Sequence, residues 1–145
     1  MLLSKIRLNN KFPKNLNPIF KPDSKITSNV KEIINDVLKN PIKINNGICN
    51  GPLKTQISSY NNKCHIAEYN YKISNDLDTY FKTYRSNKKL WEESTFAEKK
   101  YVFLKAADLI ESKYYDRMLA YTILGQNKTI YEAELDAICE LVDFI

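Results

Sequence analysis

Hydrophobic residues recur at helical spacing in the first patterned stretch of the chain, residues 27–40. The apolar positions are Val30, Ile33, Ile34, Val37 and Leu38. Residues three and four apart share one face of an α-helix, so this spacing predicts an amphipathic helix. Thr27 or Ser28 can cap its N-terminus, and Asn40-Pro41 is expected to end it.

The next stretch is rich in β-branched and aromatic residues and is interrupted by turn-forming asparagines. Residues 42–49 are strand-like and surround an Asn45-Asn46-Gly47 turn. Residues 54–60 and 63–72 flank Asn61-Asn62, and we expect them to form an antiparallel hairpin. His65 is interpreted as an ordinary polar residue on one face of the second strand.

Helical spacing returns at residue 74 and continues to the C-terminus. A stripe of large side chains at this spacing is interpreted as core; it consists of Leu77, Tyr80, Phe81, Tyr84 and Trp91. Residues 95–98 and 129–132 have the Thr-x-x-Glu pattern of a capping box, which marks a helix start. Gly125 is expected to close the helix between them in a left-handed conformation. The sequence predicts an α+β chain: an N-terminal helix, a small antiparallel β element, then three to four helices.

The last predicted helix carries a broad apolar face formed by Ala133, Ala137, Ile138, Leu141, Val142 and Ile145. No glycine or basic residue marks its end, so we expect a larger protein to cover this face; the alternative is a natural C-terminal helix that packs and simply ends. Burying each large apolar side chain contributes about 1.5–3 kcal/mol, a large share of a domain's stability of about 5–15 kcal/mol. In the chain alone we therefore expect Ile138, Leu141, Phe144 or Ile145 to be exposed, with marginal stability and a tendency to aggregate or oligomerise.

The composition is that of one small globular domain, with 145 residues of which 43% are hydrophobic. No apolar run approaches the length of a membrane span, so no membrane association is expected. Five of the 22 basic residues lie in residues 1–22, which hold no acid, and the remaining 17 are balanced by 17 acids. Because the body is neutral, nucleic-acid binding is not expected. Residues 1–22 instead resemble a mitochondrial presequence, the alternative being a disordered basic N-terminus without a targeting role, and residues 23–145 form the body.

Rare residues restrict the chemistry further. The three glycines lack the spacing of a phosphate-binding loop, and the single histidine excludes a zinc helix. The cysteines, Cys49, Cys64 and Cys139, include no C-x-x-C pair, so neither a metal site nor a disulfide framework is expected. Cys139 is interpreted as a small buried thiol in the last helix.

Three segments near the C-terminus resemble the aldehyde dehydrogenase superfamily, in particular its 1-pyrroline-5-carboxylate dehydrogenase branch. They read Phe-Leu-Lys-Ala-Ala-Asp-Leu-Ile at 103–110, Leu-Gly-Gln-Asn-Lys-Thr-Ile-Tyr-Glu-Ala-Glu-Leu-Asp-Ala at 124–137 and Glu-Leu-Val-Asp-Phe at 140–144. Ser58-Ser-Tyr-Asn61 resembles the family's Ser-Pro-Phe-Asn turn, and the looser resemblance extends from residue 17. Asn127 departs from it, since the family has glycine there.

The resemblance implies NAD-dependent oxidation of L-glutamate γ-semialdehyde, formed from 1-pyrroline-5-carboxylate, to glutamate in proline catabolism. It also implies a mitochondrial matrix location and a homo-oligomer. In these enzymes the catalytic cysteine, the general-base glutamate and the NAD phosphate loop lie beyond the resembling segment, so no catalytic residue and no cofactor-binding residue is expected within this chain. Glu140 is the one implied site residue, a carboxylate that faces the aldehyde substrate. Its alternative is an ordinary solvated carboxylate.

Two hypotheses on function remain. The chain is either an N-terminal fragment of such a dehydrogenase or a catalytically inactive, truncated paralogue. In the second hypothesis it acts as an interaction module that docks on a full-length subunit through the apolar face of its last helix.

Overall fold

Helix α1 (Lys25–Lys39) begins the part of the chain that the computed structural model describes, namely residues 25–44, 51–71 and 74–145. The elements after it are β1 (Ile42–Ile44), β2 (Leu53–Ile57), β3 (His65–Asn70), α2 (Ser74–Glu93), α3 (Phe96–Glu111), α4 (Tyr115–Gln126), α5 (Ile130–Glu134), a π-helical segment (Leu135–Glu140) and α6 (Leu141–Phe144). The last three are continuous, and we refer to residues 130–144 as the C-terminal helix. The predicted α+β class is confirmed. The basic residues 1–22, the Asn45-Asn46-Gly47 turn and Cys49 lie outside the described residues.

The strands form one sheet in the order β1-β3-β2. The predicted hairpin is confirmed, since β2 runs antiparallel to β3 with Leu53 opposite Asn70. The β element is not wholly antiparallel, however, because β1 pairs parallel with β3 and places Ile42 opposite Ala67. Parallel pairing between strands that are not consecutive has no local turn signal, so the pattern of residues could not indicate it.

The core lies where α1 crosses α4 and the C-terminal helix. One cluster of buried side chains joins Val30, Leu119, Ala120, Ala133 and Ile138. A second cluster connects α1 to the sheet through Val37, Ile66 and Leu124. Asn29 Nδ2 also donates a hydrogen bond to Asp116 Oδ2 at 2.7 Å, which ties α1 to the first turn of α4. The predicted apolar face of the first helix therefore packs as expected.

Two helix boundaries agree with those predicted from local sequence motifs, and two others differ from the prediction. Thr95 and Thr129 each accept a hydrogen bond from the backbone N–H of the glutamate three residues later, which confirms both capping boxes. Thr27 and Ser28 do not cap α1, because the helix begins at Lys25. Gly125 does not close α4 either, since the helix continues to Gln126 and Asn127 takes the left-handed conformation with φ 56°. Asparagine tolerates this conformation better than most residues, and the resemblance places a glycine at this position.

The interpretation of the α2 stripe as core is wrong. Leu77, Phe81, Tyr84 and Trp91 are all exposed, and Phe81 and Tyr84 remain 57% and 61% exposed. The spacing correctly indicated a helix with one apolar face, but spacing does not reveal what packs on that face. Among the described residues, no helix is both long and apolar enough to cross a membrane.

Candidate functional site

The C-terminal helix carries Glu140, the residue that the resemblance places beside the substrate. Glu140 ends the π-helical segment, and its side chain is exposed. Ile138, Cys139 and Val142 on the same helix are buried against the rest of the chain. The helix thus turns its apolar side inward and leaves Glu140 on its outer side. An exposed carboxylate can accept hydrogen bonds from an ammonium group, such as that of an amino acid.

The π-helical segment determines which residues share the buried side. Ala133 and Ile138 are five residues apart, as are Glu134 and Cys139, and all four are buried. Five-residue spacing is that of a π turn, in which backbone hydrogen bonds connect residue i to residue i+5. Single π turns within α-helices occur frequently at functional sites. The pattern of apolar residues did not reveal this segment.

A buried carboxylate holds the start of the π-helical segment. Glu134 is 1% exposed and accepts a hydrogen bond from the Tyr115 hydroxyl at the start of α4. Burial, and then the hydrogen bond to Glu134, raises the pKa of the Tyr115 phenol well above its usual value. Tyr115 is not the only group that interacts with Glu134. The phenol therefore remains protonated and serves as a fixed donor to the carboxylate.

A second pair links the α4–α5 connection to the π-helical segment. Lys128 Nζ contacts Asp136 Oδ2 beside Thr129, the N-cap of α5. Sequence reasoning missed both this pair and the Tyr115–Glu134 pair. The partners are 8 and 19 residues apart and meet only through the helix–helix geometry, so no sequence motif marks them.

A further hydrogen bond holds the C-terminal end of α4, next to the left-handed Asn127. Ser58 is buried, and its hydroxyl donates a hydrogen bond to the Leu124 carbonyl at 3.0 Å. Ser58 belongs to the turn that resembles the family's Ser-Pro-Phe-Asn turn. No structural role was predicted for this turn, and the structure shows that its Ser58 binds the C-terminal end of α4.

Cys139 has the properties of a structural thiol, which confirms the interpretation from the sequence. It is 3% exposed, and burial together with the charges of Glu134 and Asp143 raises its pKa. A catalytic thiol needs the opposite environment, because only the thiolate is an effective nucleophile. Cys139 is therefore unsuited to attack an aldehyde.

The described residues offer little else to a cofactor or metal ion. Among them, no group of three or more His, Cys, Asp or Glu side chains could hold a metal ion. An open depression of about 560 Å³ lies beside the β2–β3 connection, lined by residues 56–62, and Glu140 is not part of it. Within the described ranges no glycine-rich turn leads from a strand into a helix, as a dinucleotide phosphate site requires. No described residue is therefore assigned to NAD.

Sequence comparison finds relatives among the delta-1-pyrroline-5-carboxylate dehydrogenases. The probable delta-1-pyrroline-5-carboxylate dehydrogenase of Schizosaccharomyces pombe is 36% identical over 86 residues, or 59% of this chain. The mitochondrial enzyme of the same name from Dictyostelium discoideum is 49% identical over 59 residues, and the human one is 34% identical over 89 residues. The matched parts span 16% of the S. pombe protein and 11% of the D. discoideum protein. No family model matches the chain.

Structural comparison agrees over more of the chain. A crystal structure of the delta-pyrroline-5-carboxylate dehydrogenase from Mycobacterium tuberculosis, bound with NAD, matches with a TM-score of 0.84 and 26% identity. The match covers 92% of this chain and 26% of that chain. The described structure thus has the fold of a segment of an aldehyde dehydrogenase. The predicted resemblance to the 1-pyrroline-5-carboxylate dehydrogenases within that superfamily is confirmed over the matched part of the chain.

Proposed function

We propose that this chain is part of an NAD-dependent dehydrogenase that oxidises L-glutamate γ-semialdehyde to glutamate in proline catabolism. The observation that carries the proposal is the coincidence of two matches. The 49% identity over 59 residues to the D. discoideum protein and the TM-score of 0.84 to the M. tuberculosis protein point to enzymes of the same activity. The chain contributes a scaffold and one carboxylate, while the thiol nucleophile and the NAD site belong to other parts of the enzyme.

In this proposal Glu140 faces the substrate. L-Glutamate γ-semialdehyde carries an α-ammonium group, and a carboxylate on the outer side of the C-terminal helix is a suitable acceptor for it. The Tyr115–Glu134 and Lys128–Asp136 contacts hold the helix on which Glu140 lies. Glu140 thus binds the substrate and takes no part in forming or breaking bonds.

The proposed location is the mitochondrial matrix. The relatives from D. discoideum, human and mouse are named as mitochondrial proteins. Residues 1–22 are basic and free of acids, as in an import signal. A homo-oligomer of the complete enzyme is also part of the proposal, by analogy with the family.

The test is to purify the native polypeptide with an antibody against residues 115–145 and to follow NADH formation with 1-pyrroline-5-carboxylate and NAD. Substrate-dependent NADH formation is expected. Introducing Glu140→Gln at the native gene should raise KM for the substrate while kcat changes less, because the carboxylate binds and does not react. Glu32→Gln, the same change at an exposed residue of α1, is the matched control. Purified polypeptide that forms no NADH would contradict the proposed activity.

A second candidate is the interaction module without activity of its own. It is favoured by the large apolar side chains that the C-terminal helix leaves exposed, above all Phe144 at 86%. The same purification separates the two candidates. A separate full-length dehydrogenase subunit that co-purifies, and is lost on Phe144→Asp, would support the module. A single polypeptide that carries both residues 115–145 and the activity would contradict it.

A further inference from the structure

The direction in which Glu140 leaves the C-terminal helix depends on the π-helical segment that it ends. That segment begins at Leu135. In an α-helix each residue adds about 100° around the axis, whereas a π turn accommodates one residue more than an α turn. If the segment adopted α-helical hydrogen bonds without losing a residue, Glu140 would therefore turn by about 100° relative to the residues before Leu135.

Two neighbouring pairs on the buried side of the helix select the five-residue spacing. Ala133 and Ile138 belong to one core cluster, and Glu134 and Cys139 are buried beside them. In a regular α-helix the residue four positions on would share that side instead. Ala137 would then take the place of Ile138, and Ile138 the place of Cys139. The core thus favours the π turn, because it places the larger Ile138 in the cluster.

Tyr115 of α4 lies against this spacing from outside the C-terminal helix. Its hydroxyl donates a hydrogen bond to Glu134, and its ring packs against the cluster that contains Ile138. Burial raises the pKa of the Tyr115 phenol most, Glu134 raises this pKa further, and Cys139 adds to the shift. The phenol is therefore close enough to interact electrostatically with both residues of the pair that encloses the π turn.

We propose that Tyr115 is a positioning residue for substrate selectivity: its hydrogen bond to Glu134 holds the π turn in the register that directs Glu140 to the α-ammonium group of the substrate. This role rests on the proposed function, since it takes Glu140 as the acceptor of that group. The preference for an aldehyde with an α-ammonium group over the same aldehyde without it then depends on Tyr115 as well as on Glu140.

The test compares two substrates on the purified native polypeptide, with each substitution introduced at the native gene. 1-Pyrroline-5-carboxylate supplies the aldehyde with the α-ammonium group, and glutarate semialdehyde is the same aldehyde without it. The measured quantity is the selectivity, defined as kcat/KM for the first substrate divided by kcat/KM for the second. Both values come from NADH formation on one preparation, so a loss of active enzyme cancels in the ratio.

Glu140→Gln should lower the selectivity about tenfold, because it removes a charge-assisted hydrogen bond that only the first substrate makes. Tyr115→Phe should lower it about fourfold, mainly through KM for 1-pyrroline-5-carboxylate. Its effect is smaller because the contact between Lys128 and Asp136 still holds the segment. Tyr121→Phe, the same change at an exposed tyrosine of α4, is the matched control and should leave the selectivity unchanged.

The combination of Tyr115→Phe with Glu140→Gln tests whether the first residue acts through the second. Its selectivity should equal that of Glu140→Gln alone, since no carboxylate then remains to be directed. A further loss in the combined variant would overturn the proposal, because Tyr115 would then act by another route. Tyr115→Phe that lowers kcat/KM equally for both substrates would also overturn it, since that is the result of a merely structural role.

Failure of this proposal and failure of the proposed function give different results. Glu140→Gln that lowers the selectivity, together with Tyr115→Phe that does not, overturns the positioning role alone. Glu140→Gln that leaves the selectivity unchanged, or a polypeptide that forms no NADH, contradicts the proposed function and overturns the positioning role with it.

Discussion

Replacing Tyr115 by phenylalanine should destabilise the folded chain by removing one hydroxyl group and little else. The Tyr115 hydroxyl donates to Glu134, which is 1% exposed at the start of the π-helical segment. The phenyl ring can keep its place, because the two side chains differ only by the oxygen atom. The change therefore measures what the hydrogen bond contributes to the buried carboxylate.

The magnitude follows from the burial of Glu134. A hydrogen bond to a charged group contributes about 1.5–3 kcal/mol net. Glu134 retains other interactions, so the lower value of about 1.5 kcal/mol is expected. With a denaturant slope of about 2 kcal/mol per molar urea, the unfolding midpoint should fall by about 0.7 M. Such a loss is a substantial part of a typical domain stability of about 5–15 kcal/mol.

The same hydroxyl gives the chain a dependence on alkaline pH. The pKa of Tyr115 is raised in the folded state above its ordinary value of 10.0, mainly by burial and then by Glu134. The folded chain therefore holds this proton more tightly than the unfolded chain does. Its contribution is complete below the ordinary tyrosine pKa and is lost as the pH rises above it. The Tyr115→Phe variant lacks this group, so its stability should fall less steeply in that range.

The assay is urea unfolding followed by circular dichroism at neutral pH and at a series of alkaline pH values. Tyr121→Phe, the same change at an exposed tyrosine of the same helix, is the control and should change little. A double-mutant cycle with Glu134→Gln should show coupling between the two positions. A Tyr115→Phe midpoint that equals the control's at every pH would refute the reasoning, because the hydrogen bond would then contribute nothing.

The remaining predictions concern the core, one helix cap and the thiols. Leu119 is fully buried, so Leu119→Ala should cost about 3 kcal/mol in urea unfolding through the cavity it leaves. Thr129→Ala removes the N-cap of α5 and should cost about 1 kcal/mol, whereas Thr79→Ala on the exposed α2 should stay within about 0.5 kcal/mol. Cys139 should react with iodoacetamide more slowly than the half-buried Cys64, because burial raises its pKa; equal rates by peptide mass mapping would contradict this. The purified chain mixed with NAD and 1-pyrroline-5-carboxylate should form no NADH, and sustained turnover that Cys139→Ser abolishes would show that this thiol is reactive after all.

Local features of the fold were predictable from the sequence because their partners are close along the chain. The Thr95 and Thr129 capping boxes each join residues three positions apart, and the hairpin of β2 and β3 forms around one short connection. The end of α4 was not predictable in the same way. Glycine adopts the left-handed conformation more readily than asparagine does. The helix nevertheless continues past Gly125 to Gln126, and the left-handed residue is Asn127. Ser58, 66 residues from its partner Leu124, holds that end through a contact that sequence spacing does not reveal.

Exposure was the least predictable property, because it depends on elements that are distant along the chain. Ile138 was expected to be exposed, but it is 1% exposed because the π-helical segment turns it towards α1 and α4. Leu141, Phe144 and Ile145 are exposed as expected. Glu140 was named from the resemblance, and its place beside a substrate stays a prediction. The contacts that support its helix join residues 19 and 8 apart in the chain, so no local motif predicts them.

The π-helical segment has a consequence for how this chain is compared with proteins of different length. A π turn accommodates one residue more than the α-helical turn it replaces, so deleting one residue between Leu135 and Glu140 would let the run close into regular α-helical hydrogen bonds. The part of the helix after the deletion would then keep its orientation, because the π turn had accommodated the extra residue. A gap in an alignment therefore belongs inside this segment and not in the loop before Thr129. With the gap placed there, the residues before and after it are aligned with residues of the shorter protein that occupy the same positions in space.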